Sequence, residues 1–489
     1  MIISLSVLVI TIIVSGTYAL YKAQLSKNIG VNTTTHGLAY YINYVKGTDI
    51  TAATLNPSTS YEGGASSDIE FWKKDDSYDI YGKIELTVNT IGTNLSNSPA
   101  IKYAVVNNGN VLKEGSLKGT TSGSKVTILK NLYLEQTKQI YTVYVWLDNS
   151  EELGNISNES LSISVDCTAS LKEEPTAADT ITKLYADAEK TVVTNNNIEY
   201  NMASSLSLMN DRLGGTTTDL DGGNIRYYGA SPNNYVYFNC TSYPSTGCEV
   251  WRIVGVFDGK LKLIRNESIG NLSWDYDKND DSSKKTYDND WSTATLQKLL
   301  NGSYYNGTGT ITYYSNLGET TSTLNMTNIG LKNDTTRNMV KESTWNLGGM
   351  SSSGIYTDKT YQYERGTTVY SERPTTWTGK IALAYPSDYG YAADFNQCKQ
   401  TLIGYDNSTC TSNNWMEAII TISKIKGGWL LTPHSDNSSY VWSLSSSGYV
   451  FSGGNAYYTN RAVPVLYLNS GVEIVSGNGT SSNPYRLSM

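Results

Sequence analysis

At 489 residues the chain exceeds one ordinary domain, and two to three are expected. Hydrophobic residues make up 39% and charged residues 17%, with 39 Tyr against 5 Phe. Much of the apolar demand therefore falls on a side chain whose hydroxyl can face water, which favours β-rich domains with wet faces. A net charge of −8, a pI near 5.1 and no Lys/Arg cluster argue against a nucleic-acid partner, and two distant histidines, His36 and His434, rule out a His-rich metal site.

Residues 2–14, IISLSVLVITIIV, form an apolar run, and Thr17-Tyr18-Ala19 fits a signal-peptidase site with Ala19 at the cleavage position. The run is short for a membrane span. No Lys or Arg precedes it, so Met1 need not be the true start. Residues 1–25 read as a signal peptide or a membrane anchor, which places the remainder outside the cell or on its surface. The sequons at Asn155, Asn158, Asn239 and Asn266 are expected by chance in so Asn-, Ser- and Thr-rich a chain.

From 26 to 170 the pattern is all-β. Runs at Tyr81–Val88, Ile101–Val106, Lys125–Leu129, Tyr141–Leu147 and Leu161–Val165 are separated by Gly/Asn/Ser turns, with Asn108-Gly109 a hairpin signal. About seven short strands in this length predict one β-sandwich. Lys172-Glu173-Glu174-Pro175 reads as a linker, and 171–223 as a helical spacer and linker. Within it, Ile181, Leu184, Tyr185 and Ala188 form a helical stripe over 177–190, and 193–223 reads as irregular.

The third region, 224–489, opens with strands at Tyr235–Asn239, Val250–Phe257 and Lys260–Arg265, the last two joined by an Asp258-Gly259 hairpin. Helices are expected at Thr293–Leu300, from Asp334 as cap to Trp345, and at Trp415–Ile425 behind an Asn414/Glu417 capping box. Of five cysteines, Cys240 pairs locally with Cys248 and Cys398 with Cys410, leaving Cys167 over; five free thiols would require a reducing compartment.

Candidate chemistry is sparse. Asp275, Asp277, Asp280 and Asp281 could offer calcium oxygen ligands, but their spacing lacks the Gly and terminal Glu of an EF-hand loop, so a solvated loop is the better reading. Asp288-Asn289-Asp290-Trp291 has the look of a lectin calcium motif without the accompanying ligands. His434, Ser435 and Asp436 are adjacent and cannot converge on one substrate atom as a triad, and no GxSxG accompanies them. The Cys398/Cys410 spacing is too long to lower a thiol pKa. Arg365, Arg373 and Arg461 read as isolated, Arg461 as a pin for the final strand. Neither a phosphate-cradling glycine loop, a catalytic set, a metal site nor a cofactor is expected.

The stretch from Gly427 to Leu468 stands apart. Trp429-Leu430-Leu431 and Val463–Leu468 bracket a middle rich in Ser, Tyr, Asn and Gly, in which only Val441, Trp442 and Leu444 look core-like. Tyr supplies contact area at little entropic cost and Ser, Asn and Gly adaptable hydrogen bonding, as in a binding face. The expected contacts are His434, Asn437, Ser439, Tyr440, Tyr449, Phe451, Asn455, Tyr457, Tyr458 and Asn460, with Trp429, Trp442, Val463 and Leu466 in the core. The competing reading is a hydrophilic loop with no partner.

Two resemblances add to this. The GLAYYINY block after the signal-like segment resembles the camelysin/TasA-type matrix proteins of Gram-positive bacteria. Gly428-Trp429-Leu430-Leu431, Tyr440-Val441-Trp442 and Arg461-Ala462-Val463-Pro464-Val465-Leu466 resemble the C-type-lectin-like fold of the formylglycine-generating-enzyme type, as found in bacterial surface proteins. The family's "VRPV"-like strand is RAVPV here, so an Arg directly before the Pro is missing. The resemblance implies an α+β C-type-lectin-like domain over 224–489 behind the all-β sandwich. Its enzyme branch oxidises a sulfatase cysteine with a buried Cys pair and copper, and no such pair can be placed here. Its display branch binds ligands, in some members through faces made hypervariable by diversity-generating retroelements, and 434–440 and 449–460 have that composition. The expected function is exported, surface-displayed adhesion or recognition of a protein or glycan on another cell, host or phage surface. The alternatives are the formylglycine-type oxidase and a structural matrix or biofilm subunit.

Overall fold

The computed structural model describes residues 23–25, 38–52, 55–156, 158–276, 287–351, 355–405, 408–421 and 427–489. The apolar run at 2–14, His36, Asp277, Asp280 and Asp281 lie outside them. The protein is β-rich, with several sheets divided between two compact units, Met1–Glu174 and Pro175–Met489. Among the described residues no helix is long and apolar enough to cross a membrane.

In the first unit two sheets enclose one core. One sheet runs Ala23–Leu25, Leu161–Ser170, Tyr81–Ile91, Lys125–Tyr133; the other runs Ile42–Val45, Ala65–Lys73, Ile140–Asp148, Ile101–Asn107, Asn110–Ser116. Ile84, Leu86, Ile163 and Val165 from the first face Ile69, Phe71, Val105 and Val143 from the second. The Asn108-Gly109 turn takes φ of 48° and 77° and brings Asn107 opposite Asn110, the two-residue geometry that matches strand twist. Ala65–Lys73 is a strand that hydropathy conceals: Ala65, Ser67, Ile69, Phe71 and Lys73 alternate inward, and two of the five are polar. Cys167 sits in this core as a free thiol, pushed up by burial.

The second unit is organised by a 12-stranded sheet in which Glu249–Phe257 pairs with Tyr235–Phe238, Ile225–Tyr227 and Lys260–Arg265. The helix Ala177–Asp187 starts at a Thr176/Asp179 capping box and buries Ala177, Ala178, Ile181 and Tyr185 in the core of this unit. The stretch 193–223, expected to be irregular, instead carries the strands Thr191–Asn195, Ile198–Ala203 and Leu208–Asn210. Their hairpin turns on Asn196-Asn197, both at positive φ (46° and 61°), a turn that Asn tolerates as Gly does.

Two expected helices are shorter than their patterns suggested. The helix Asp334–Met339 is capped by Asn333, whose Oδ1 accepts from Thr336 N at 2.9 Å, and not by Asp334. It stops because Val340 and Lys341 pair with the Val465–Leu468 strand. At the third, Asn414 Oδ1 accepts from Met416 N, but the Glu417 carboxylate takes the Thr421 hydroxyl, so the box does not close. The helix is Glu417–Ile420.

Two strands of the 12-stranded sheet carry part of a buried charge network that the sequence does not foreshadow. Arg226 donates to Asp211 (2.6 Å) and Asp388 (2.9 Å), Lys262 pairs with Asp388, and all four side chains are at most 1% exposed. Isolated charges so buried would be untenable; here each has an opposite partner. Burial raises the Asp388 carboxyl, but Lys262 and Arg226 outweigh it and hold it below the ordinary value. The Arg226 guanidinium also lies 4.6 Å from the ring centroids of Phe257 and Tyr391. Arg365 and Arg373, expected to be isolated, are not: Arg365 pairs with buried Glu364 and stacks 3.4 Å from the Tyr361 ring, and Arg373 faces Asp288 and Asp290.

Candidate functional site

The C-terminal stretch forms a second sheet in the order Gly270–Leu272, Asn460–Ala462, Gly428–Pro433, Tyr440–Leu444, Val450–Asn455. Its frame is apolar and buried: Trp429, Trp442, Val463 and Leu466 are all in the core, with Trp429 Nε1 donating to Leu272 O and Trp442 Nε1 to Met350 O. Arg461 pairs by backbone with Asn271 and Gly427, while its guanidinium Nε is buried without a partner among the described residues.

The ten expected contact residues fall into three groups. Phe451, Tyr458 and Asn460 line one shallow groove of about 400 Å³ together with Gly453, Gly454 and Ser443. Ser445, Ser446, Thr459, Asn316, Leu444 and Gly427 complete it. The glycines keep it open by close approach: a Cβ on Gly453 would meet the Phe451 ring at 2.7 Å, and one on Gly454 the Trp429 ring at 2.9 Å. Tyr457 sits beside the groove, its ring edge-on to Tyr287 (4.4 Å) and Tyr458 (4.6 Å). Its hydroxyl is pushed up to about 12, first by the hydrogen bond with Tyr458 and then by burial.

His434, Asn437 and Ser439, on the loop between Gly428–Pro433 and Tyr440–Leu444, form the second group with Tyr440 at the start of that strand, and Asn455 lies opposite Tyr440 across the next strand pair. His434 stacks on Trp442 at 6.0 Å with the rings 8° apart, and its Nδ1 accepts the Asp436 N–H at 3.1 Å. Burial lowers the imidazole pKa, and the Asp436 charge opposes that shift. Asn437 Oδ1 accepts from Ser439 N, closing an Asx turn. Tyr449 is apart from both groups, its ring half-buried against the core, so it is the expected contact with most of the character of packing.

The residue that holds the loop was not among the expected ones. Asn289, 1% exposed, sends its side-chain amide to three carbonyls, His434 (2.9 Å), Asn437 (2.9 Å) and Tyr440 (3.0 Å). Its two hydrogens must therefore be shared among three acceptors. Its backbone N–H donates to Ser438 O, and its Oδ1 accepts from Arg373 Nε at 3.3 Å. Arg373 in turn faces Asp288 at 3.4 Å and Asp290 at 4.0 Å. Asp288-Asn289-Asp290-Trp291, which looked like a calcium motif, thus pins the loop. Asp275, also buried, accepts the N–H groups of Asp288 and Thr295 at 2.9 Å each. Among the described residues no group of three or more His, Cys, Asp or Glu could hold a metal ion.

Asn316 braces the other end. Its N–H donates to Tyr457 O at 2.7 Å and its Oδ1 accepts from Thr459 N at 3.2 Å, fixing the turn that presents Tyr458. Both local disulfides are formed, Cys240–Cys248 and Cys398–Cys410, as fits an oxidising compartment.

No family model matches the chain, and no curated protein does. Among solved structures it is similar to the receptor binding domain of botulinum neurotoxin mosaic serotype C/D, at 11% identity and a TM-score of 0.16 over 55% of this chain and 76% of that one. It is also similar to the PBCV-1 virus capsid, at 9% identity and a TM-score of 0.15 over 93% and 89% of the two chains. At such TM-scores neither likeness carries an argument.

Proposed function

We propose that the chain is an exported recognition protein whose ligand-binding face is the second sheet of the Pro175–Met489 unit. The observation that carries this reading is the groove at 443–460, where two aromatic rings are left exposed, Phe451 at 43% and Tyr458 at 44%, on a turn and a strand that are otherwise tightly held. A face rigid in its frame and polar-aromatic at its surface suits binding, because little conformational freedom is lost when a ligand docks. The two disulfides fit the same extracellular setting.

On this reading 224–489 is a C-type-lectin-like display domain and the β-sandwich a stalk or matrix module. The Trp/Val frame serves shape, and the exposed positions between 434 and 460 are free to vary, as retroelement-driven diversification would require. Comparison of sibling genes from one genome tests the variable face: differences concentrated at these positions are expected, and identity there removes that part of the proposal. The binding function is tested by probing the full chain against glycan and protein arrays beside a Phe451→Ala/Tyr458→Ala variant. Signals lost in the variant support the face; signals equal in both contradict it.

A further inference from the structure

The groove also narrows the class of ligand, an inference that rests on the binding function just proposed. None of the twelve lining residues is charged, so recognition by ion pairing has no local source among the described residues. The lining combines hydroxyls (Ser443, Ser445, Ser446, Thr459), two amides and two exposed aromatic rings. The Asn316 amide is occupied in bracing the turn, through Thr459 N and Thr320 Oγ1, whereas the Asn460 amide has no side-chain partner among the described residues. A volume of about 400 Å³ lies within the range of small-molecule sites, roughly 300–1,000 Å³.

We propose that this groove binds a neutral saccharide without a metal ion. Pyranose rings carry hydroxyls that both donate and accept, which matches amides and hydroxyls, and they carry C–H faces that pack on aromatic rings. Phe451 and Tyr458 supply the platforms, and Asn460, Ser445 and Ser446 the polar contacts. A peptide added as a strand is the competing occupant, because Val450–Asn455 is the edge of its sheet. That edge is poorly suited to it. Its pairing with Tyr440–Leu444 shifts register between Val441 and Ser443, and Gly453-Gly454 interrupts the alternating side chains that give strand addition its specificity.

The test is calorimetric titration of the full chain with neutral oligosaccharides (gluco-, manno- and N-acetylglucosamine hexamers), an acidic hyaluronan fragment and an unstructured peptide library. At least one neutral probe should bind, with affinity unchanged between about 0.05 and 0.5 M NaCl, since none of the described lining residues carries a charge to be screened. Chelator should leave binding intact. Phe451→Ala and Tyr458→Ala should each weaken it by about tenfold or more while the unfolding midpoint stays put. Gly453→Val, which drives the Phe451 ring aside, should do the same. If no neutral probe binds while a peptide or acidic probe does so through the same residues, the saccharide is overturned and the recognition face stands. If every bound probe is indifferent to these substitutions, both fall.

Discussion

Single residues divide into those that hold the proposed face and those left exposed on it. Asn289 is the clearest holding residue. Asn289→Ala would strip three loop carbonyls of their donor in a site only 1% exposed, and leaving buried groups unsatisfied costs about 1–3 kcal/mol. Hydrogen exchange should then accelerate selectively at 434–440, alongside a lowered chemical-denaturation midpoint; unchanged protection there would mean the loop is held by other contacts. His434 gives a pH signature. Its folded-state pKa lies below the ordinary imidazole value of 6.5 because burial against Trp442 disfavours the cation. The unfolded chain therefore binds the proton more readily, so the stability from neutral His434 is present above the unfolded pKa and is lost as pH falls toward the folded value. Protonation also places a hydrogen on Nδ1, which now accepts the Asp436 N–H. An NMR titration should find the His434 midpoint below 6.5, and a midpoint above it would refute the packing described.

Among the elements, local signals are legible in the sequence and long-range ones are not. The Asn108-Gly109 and Asp258-Gly259 hairpins were legible because turn chemistry is local: φ values of 48° and 77°, and of 47° and 68°, require residues tolerant of the left-handed region. The Asn196-Asn197 hairpin obeys the same rule but was hidden in a polar stretch whose inward residues, Tyr200 and Met202, meet their partners only in the folded unit. The helix Asp334–Met339 is shorter than its pattern because a strand pairing ends it, Val340 and Lys341 lying against Leu468 and Tyr467. The charge network was illegible altogether, since Asp211, Arg226, Lys262 and Asp388 are scattered over 178 positions and only the fold makes them neighbours. Its loss should be costly. Asp388→Ala would leave Arg226 and Lys262 buried without that carboxylate, and breaking such a pair destabilises by about 3–5 kcal/mol. Denaturant unfolding of the variant should show that loss, and a change under about 1 kcal/mol would mean the network relaxes or is hydrated. The same carboxyl, held below its ordinary value, contributes stability above the unfolded carboxyl pKa that disappears as pH falls through the folded one.

Each unit has its own hydrophobic core, the first bounded by two sheets and the second drawing on the 12-stranded and five-stranded sheets, with six fully buried tryptophans among the described residues. Both disulfides lie in the second unit and close short loops, so reduction should lower the unfolding temperature of that unit and leave the first unchanged; a scan in which both transitions move together would contradict this division. The polar-aromatic groove lies beside buried Trp429 and Trp442, so on the proposed function shape and contact fall to different residues. Paired measurement of ligand affinity and unfolding midpoint for Tyr458→Ala tests that separation. Affinity should fall by about tenfold or more at an unchanged midpoint, because an exposed ring contributes to docking and little to packing. An unchanged affinity, or a midpoint that falls along with it, would contradict that separation.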